Sequence, residues 1–129
     1  MSTPSRYDIL FEPVQIGPVT APNRFYQVPH ASGMTEANPR VRAAFRGMKA
    51  EGGWGTVAVG LTEISPNSDF ANHPMERIWD DSDVPRHKLQ VDAIKTHGPL
   101  AAIKLGPGGN HSPHFPPALP VVGPPLALI

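Results

Sequence analysis

Three stretches of this 129-residue chain combine residue types and spacing that could do chemistry. The first is the run Asn23–Gly33, Asn-Arg-Phe-Tyr-Gln-Val-Pro-His-Ala-Ser-Gly, where an apolar and aromatic stretch stops at Pro29 and gives way to small polar residues around His30. Pro29 removes a backbone donor, so a strand ladder must end there, and the small residues beyond it let a backbone lie close to a ligand. The second place holds two carboxylates, Glu63 and Asp69, which could act as acid or base or simply be solvated loop residues and caps. The third is Gly106-Pro-Gly-Gly109 with His111 and His114 behind it. Its glycines could form an anion-binding nest, yet dinucleotide and phosphate-loop spacings are both absent, and a tight turn that needs glycine is the plainer account. The His-x-x-His pair has no carboxylate at matching helical spacing, so no metal site is assigned, and His30 or His111 is read as hydrogen-bonding a ligand or the backbone. Arg24, beside the first strand, is read as tying down one end of the fold.

The elements that must position these groups follow from local chemistry. Val14, Ile16 and Val19 surround Gly17-Pro18, a turn signal, which predicts a small hairpin cap ahead of the first core strand. Phe25–Val28 is expected to be that strand, and to be buried. Asn38-Pro39 reads as an N-cap with proline in the first turn, Val41, Ala44, Phe45 and Met48 recur at helical spacing, and Gly52-Gly53 ends the helix, with Trp54 packing beyond it. Thr56–Leu61 is apolar on both faces, as a parallel strand covered by helices requires. Residues 62–83 are expected to be a long connection too polar for the core. Asp83 with Pro85 opens a second helix containing Leu89, Ala93 and Ile94, Gly98 closes it, and Leu100–Leu105 is the third strand.

Strand, helix, strand, helix, strand implies an α/β fold with a parallel sheet, in which ligands sit at the carboxyl ends of the strands. Those ends are His30–Gly33, Leu61–Glu63 and Gly106–His111, the places where the reactive residues gather.

Composition sets limits on the whole. Eleven basic and eleven acidic residues give zero formal charge, and no basic stripe points to nucleic acid. There are no cysteines, hence neither disulfides nor thiolate metal sites. No stretch has signal-peptide or membrane-helix character, so a cytoplasmic chain away from membranes is expected. Eight of 17 prolines fall between Pro99 and Pro125, and no charged residue follows Lys104, which sets 106–129 apart as a Pro-rich loop or tail.

Longer motifs carry a resemblance to a known family. Phe11-Glu-Pro-Val-Gln-Ile-Gly-Pro18, Asn23–His30, Glu51-Gly-Gly-Trp54, Ile64-Ser-Pro66 with Ser68-Asp69, Arg77-Ile-Trp-Asp80 and Gly108-Gly-Asn-His111-Ser-Pro113 resemble the start of the flavin barrel of the Old Yellow Enzyme superfamily. The match runs over nearly the whole chain and is nearest the branch of trimethylamine dehydrogenase and its N-methyl demethylase relatives. It implies an FMN-dependent oxidoreductase on a (β/α)8 TIM barrel, with hydride transfer to flavin N5 from an amine or a reduced nicotinamide. Val28, Pro29, His30 and Ala31 would line the flavin from the first strand, Gly60 from the second, and Lys104 would face its pyrimidine edge. Ala31 stands where trimethylamine dehydrogenase has the cysteine joined to its flavin, so the FMN would be held noncovalently. Leu61 replaces a tyrosine of that enzyme's amine cage, which removes a cation–π contact to substrate. Lys104 replaces a neutral or acidic group; it would either stabilise negative charge on reduced flavin or be a damaged position.

A whole barrel needs about 250 residues, so this chain is expected to be one partial domain, residues 1–129, with about three of the eight strands. The iron-sulfur cluster common in that branch is not expected within it. On this reading the isolated chain is inactive. The alternative is a non-catalytic interaction module that docks, or self-associates, through its open sheet edges and apolar tail.

Overall fold

The computed structural model describes residues 5–31, 38–66 and 75–106. A single 3-10 turn, Asp8–Phe11, leads into a hairpin of β1 (Val14–Ile16) and β2 (Val19–Ala21), paired antiparallel with Ile16 opposite Val19. Gly17 makes the turn at φ 55°, a region closed to most side chains. The expected cap is therefore present. Its attachment is also as expected, because Arg24 donates from its backbone N–H to Leu10 O (2.9 Å) and from Nε to Ile9 O (2.9 Å).

The core sheet is parallel. Its strands β3 (Tyr26–Gln27), β4 (Thr56–Glu63) and β6 (Leu100–Gly106) alternate with helices α1 (Pro39–Glu51) and α2 (Val84–Lys95). β4 lies in the centre, with β6 along one edge from Thr56 to Glu63 and β3 on the other edge beside Thr56 and Val57. Neighbours in space are thus neighbours in sequence, the order a barrel wall requires. Between Ala58–Ala102 and Leu61–Lys104 the register advances three residues on β4 and two on β6, a β-bulge centred on Val59–Gly60.

Val57 and Val59 point to the helices and pack with Ala50 of α1, Ile94 of α2 and Ala101 of β6. Ile94 is fully buried, which contributes about 1.5–3 kcal/mol relative to exposure. The same register sends Tyr26, Ala58, Leu61, Ala102 and Lys104 to the opposite face, the one a barrel would enclose.

Helix boundaries agree with the sequence reading. Asn38 Oδ1 accepts from the N–H groups of Arg40 (3.1 Å) and Val41 (3.3 Å), Pro39 occupies the first turn, and Gly53 (φ 91°) and Gly98 (φ 94°) follow the two helices.

Burial corrects the sequence in four respects. β3 is two residues long and only Gln27 is buried, while Tyr26 is 47% exposed and Val28 60%, because their face looks into the open side of the sheet. The buried face of α1 is Arg42, Ala43, Arg46, Gly47 and Ala50, not Val41, Ala44 and Met48, which are exposed. Small residues bring the helices together, a Cβ on Gly47 falling 3.4 Å from the Ala93 Cβ, and both arginines reach buried acceptors; a count of apolar residues assigns them to water. Leu89 of α2 is likewise exposed, and the positions buried around Ile94 are His87 and Gln90. Finally, the polar connection contains a strand, β5 (Glu76–Arg77), which pairs in parallel with Thr62 and Glu63 on the β4 edge that β3 leaves vacant. Glu76 and Asp83 are 3% and 0% exposed, so part of that connection belongs to the core.

Among the described residues no helix is long and apolar enough to cross a membrane.

Candidate functional site

The chain leaves β3 as a ledge, Val28–Ala31, whose backbone is gripped from behind. Arg46, 2% exposed on α1, donates from Nη1 to Gln27 Oε1 (3.1 Å) and from Nη2 to His30 O (2.7 Å). Gln27 in turn donates from Nε2 to Val28 O and lies 3.1 Å from His30 Nδ1. The His30 ring meets the Phe45 ring edge-on at 5.9 Å, and the Arg46 guanidinium lies 5.3 Å from the same Phe45 ring. Val28, His30 and Ala31 are nevertheless exposed.

Gly60, in the β4 bulge, lies against the ledge. A Cβ there would stand 3.4 Å from His30 O and 3.6 Å from Arg46 Nη2. One residue on, Leu61 pairs in register with Lys104 of β6, so a half-buried apolar side chain and an exposed cation share the open face. Glu63 closes β4 beside Gly106. The three carboxyl ends of β3, β4 and β6 therefore lie side by side.

A second polar cluster buttresses this end of the sheet through β5. Glu76 pairs with Arg42 of α1, and its carboxylate accepts from Gln90 Nε2 (2.6 Å) and Thr62 Oγ1 (3.4 Å). Arg77 donates from Nε to Asp83 Oδ1 (2.9 Å) and stacks 4.6 Å from the Trp79 ring, while His87 Nε2 lies 2.8 Å from Arg77 O. Asp83 also accepts from the Trp79 N–H (3.1 Å). Burial alone would raise the Asp83 pKa; the Trp79 and Arg77 hydrogen bonds, with the charges of Arg77 and Arg86, outweigh it and hold the carboxyl below its ordinary value. So engaged, Asp83 makes no side-chain cap on α2, contrary to its expected role. Asp80 does act as a cap, accepting from Ser82 N–H at 2.8 Å, and those Ser82 bonds lower its pKa.

The structure thus places Val28, Pro29, His30, Ala31, Gly60, Leu61 and Lys104 at one end of one sheet. Asp69, Pro107, Gly108, Gly109, His111, His114 and the proline-rich tail lie outside the described residues. Among the described residues no three His, Asp or Glu side chains are grouped to hold a metal. Sequence reasoning missed Gln27, Arg42, Arg46 and Glu76. The one available signal was that Arg42 and Arg46 stand four apart and so share a helix face.

The sequence profile of the NADH:flavin oxidoreductase / NADH oxidase family matches residues 9–124. Dimethylamine dehydrogenase of Hyphomicrobium sp. (strain x) is 43% identical over 113 residues, covering 88% of this chain and 15% of that protein. The structure of histamine dehydrogenase from Rhizobium sp. 4-9 superposes with a TM-score of 0.79 at 46% identity, over 88% of this chain and 17% of its own. Morphinone reductase in complex with tetrahydroNAD matches with a TM-score of 0.68 at 26% identity, over 80% of this chain and 28% of its own. The sheet described here is accordingly the N-terminal part of the (β/α)8 barrel of the Old Yellow Enzyme superfamily. The chain spans less than one fifth of the length of the two amine dehydrogenases.

Proposed function

The chain belongs to the NADH:flavin oxidoreductase / NADH oxidase family, and from that premise we propose that its three strand ends form one wall of a noncovalent FMN site. The observation that carries this reading is the ledge itself. An apolar edge, exposed Val28 and half-buried Pro29, adjoins backbone fixed by Arg46, with Leu61 and the Lys104 ammonium on the same open side of the sheet. Flat aromatic rings with polar rims need such a combination of apolar floor and placed donors.

FMN, when bound, supplies two-electron hydride chemistry at its N5, the donor being an amine carbon or a reduced nicotinamide. The chain's own residues bind and orient. Val28 and Pro29 cover ring surface. His30 and the Ala31 N–H offer donors to ring heteroatoms. Gly60 lets the ledge sit close to β4, and Lys104 opposes negative charge on the reduced ring. Ala31 has no nucleophile, so the cofactor dissociates intact. Leu61 faces the substrate side as an apolar contact, without the cation–π attraction of an aromatic cage.

One wall binds more readily than it catalyses. We expect the 129 residues alone to take up FMN weakly and to oxidise neither amines nor nicotinamide. FMN titrated into purified chain should show saturable quenching of flavin fluorescence, with all flavin released on acid denaturation. An unchanged flavin spectrum, or flavin retained by the denatured chain, overturns the reading; turnover overturns the expected inactivity. The exposed Tyr26, Val28, Ile103 and Leu105 favour a second reading, a non-catalytic module that docks through its open sheet. That reading predicts self-association without any flavin uptake.

A further inference from the structure

Arg46 is remote from the open face, yet its contacts settle what the ledge presents. A guanidinium has donors only, so the Gln27 atom 3.1 Å from Nη1 is the carbonyl Oε1, and the orientation of that amide is decided. The Gln27 Nε2 then faces Val28 O and His30 Nδ1 with its two hydrogens. His30 Nδ1 must accept, which leaves the proton of the neutral imidazole on Nε2. Phe45 holds the ring edge-on at 5.9 Å and limits its rotation. The second Arg46 donor acts on the backbone. With His30 O drawn toward α1 (2.7 Å), the N–H across the same planar trans peptide, that of Ala31, points the opposite way, toward the open face.

We propose that Arg46 and Gln27 are positioning residues that set two donors on the ledge, His30 Nε2–H and Ala31 N–H, for acceptor atoms of the bound flavin ring. This rests on the flavin reading given above, but the clamp can be tested without any ligand. Long-range 1H–15N spectra of the labelled, ligand-free 129-residue chain report the His30 tautomer directly. The expected wild-type result is an Nε2–H imidazole. Gln27→Glu keeps the shape and the Arg46 contact but can only accept, so His30 should flip to the Nδ1–H form, and the FMN dissociation constant should rise about tenfold, as for other groups that orient a ligand's direct contacts. Arg46→Lys retains a charge with a single-point contact, frees the Gln27 amide to turn, and should give a mixture of tautomers with a smaller loss of affinity.

A wild-type His30 carrying its proton on Nδ1, or an even mixture, overturns the clamp whatever FMN does. A Gln27→Glu chain that flips the tautomer but binds FMN unchanged overturns the role toward the ligand. Wild-type chain that shows the Nε2–H form and ignores FMN overturns the flavin reading and not the clamp.

Discussion

The two ends of the sheet are built on different principles. At the amino end Phe25 stands between Phe11 (5.3 Å, 62°) and Trp54 (6.5 Å, 84°), an aromatic plug that needs no long-range charge. Its backbone is closed onto the α1–β4 turn, Asn23 Oδ1 accepting from Phe25 N–H (3.0 Å), Asn23 Nδ2 donating to Gly53 O (2.9 Å), and Phe25 O accepting from Gly55 and Thr56 (3.0 and 3.1 Å). At the carboxyl end the strands are held by buried polar groups sent from α1 and α2, while Val28, His30, Ala31 and Lys104 are left exposed. One end is fastened by ring contacts and backbone hydrogen bonds, and the other is pre-ordered by buried polar groups. This matches the division in barrel enzymes between a face for stability and a face for chemistry.

Substitutions should separate the two ends. The largest effect is expected from Glu76→Gln, which leaves the Arg42 guanidinium buried without its carboxylate at a cost of about 3–5 kcal/mol, read as loss of the cooperative urea transition. Phe25→Ala at the other end should cost about 2 kcal/mol, less than a fully buried phenylalanine because the residue is only partly buried, and chain that remains folded should bind FMN as before. Acid should act at the carboxyl end through Asp83. Asp83 has a lowered folded pKa, so its contribution is fully present above the ordinary value of 3.8 and is lost as pH falls through the lowered one. Asp83→Asn should flatten that acid limb in a pH series of urea midpoints. The smallest effect on stability is expected from Gly60→Ala, under about 1 kcal/mol, since its Cβ meets His30 O at 3.4 Å. It should nevertheless weaken FMN, because the ledge is what must give way. If Phe25→Ala weakened FMN more than Gly60→Ala, the contrast between the ends would be wrong.

The turns and helix limits were largely legible in the sequence, because their rules are local. Gly17-Pro18, Asn38-Pro39, Gly53 and Gly98 act within a few residues, and the helix limits and hairpin followed from them. The order of strands was legible for the same reason, since alternating elements force a sequential parallel wall. The carboxyl end was legible in its position and not in its construction. Nothing local distinguishes Arg42 and Arg46 from solvated arginines, or marks Glu76 as a core residue. Their burial depends on acceptors 19 and 34 positions away in the chain, at Gln27 and Glu76. Tyr26 and Val28 failed in the reverse sense, because an apolar residue is buried only when something lies opposite it.

The central claim is that FMN belongs to the carboxyl end of this sheet. Mapping FMN onto the backbone amides of the 15N-labelled chain tests it most directly. The account predicts shifts at Val28, His30, Ala31, Gly60, Leu61 and Lys104, with the Phe25 and Gly55 amides and the Trp54 indole unmoved. Shifts centred on Phe11, Phe25 and Trp54, or none at saturating FMN, would contradict it.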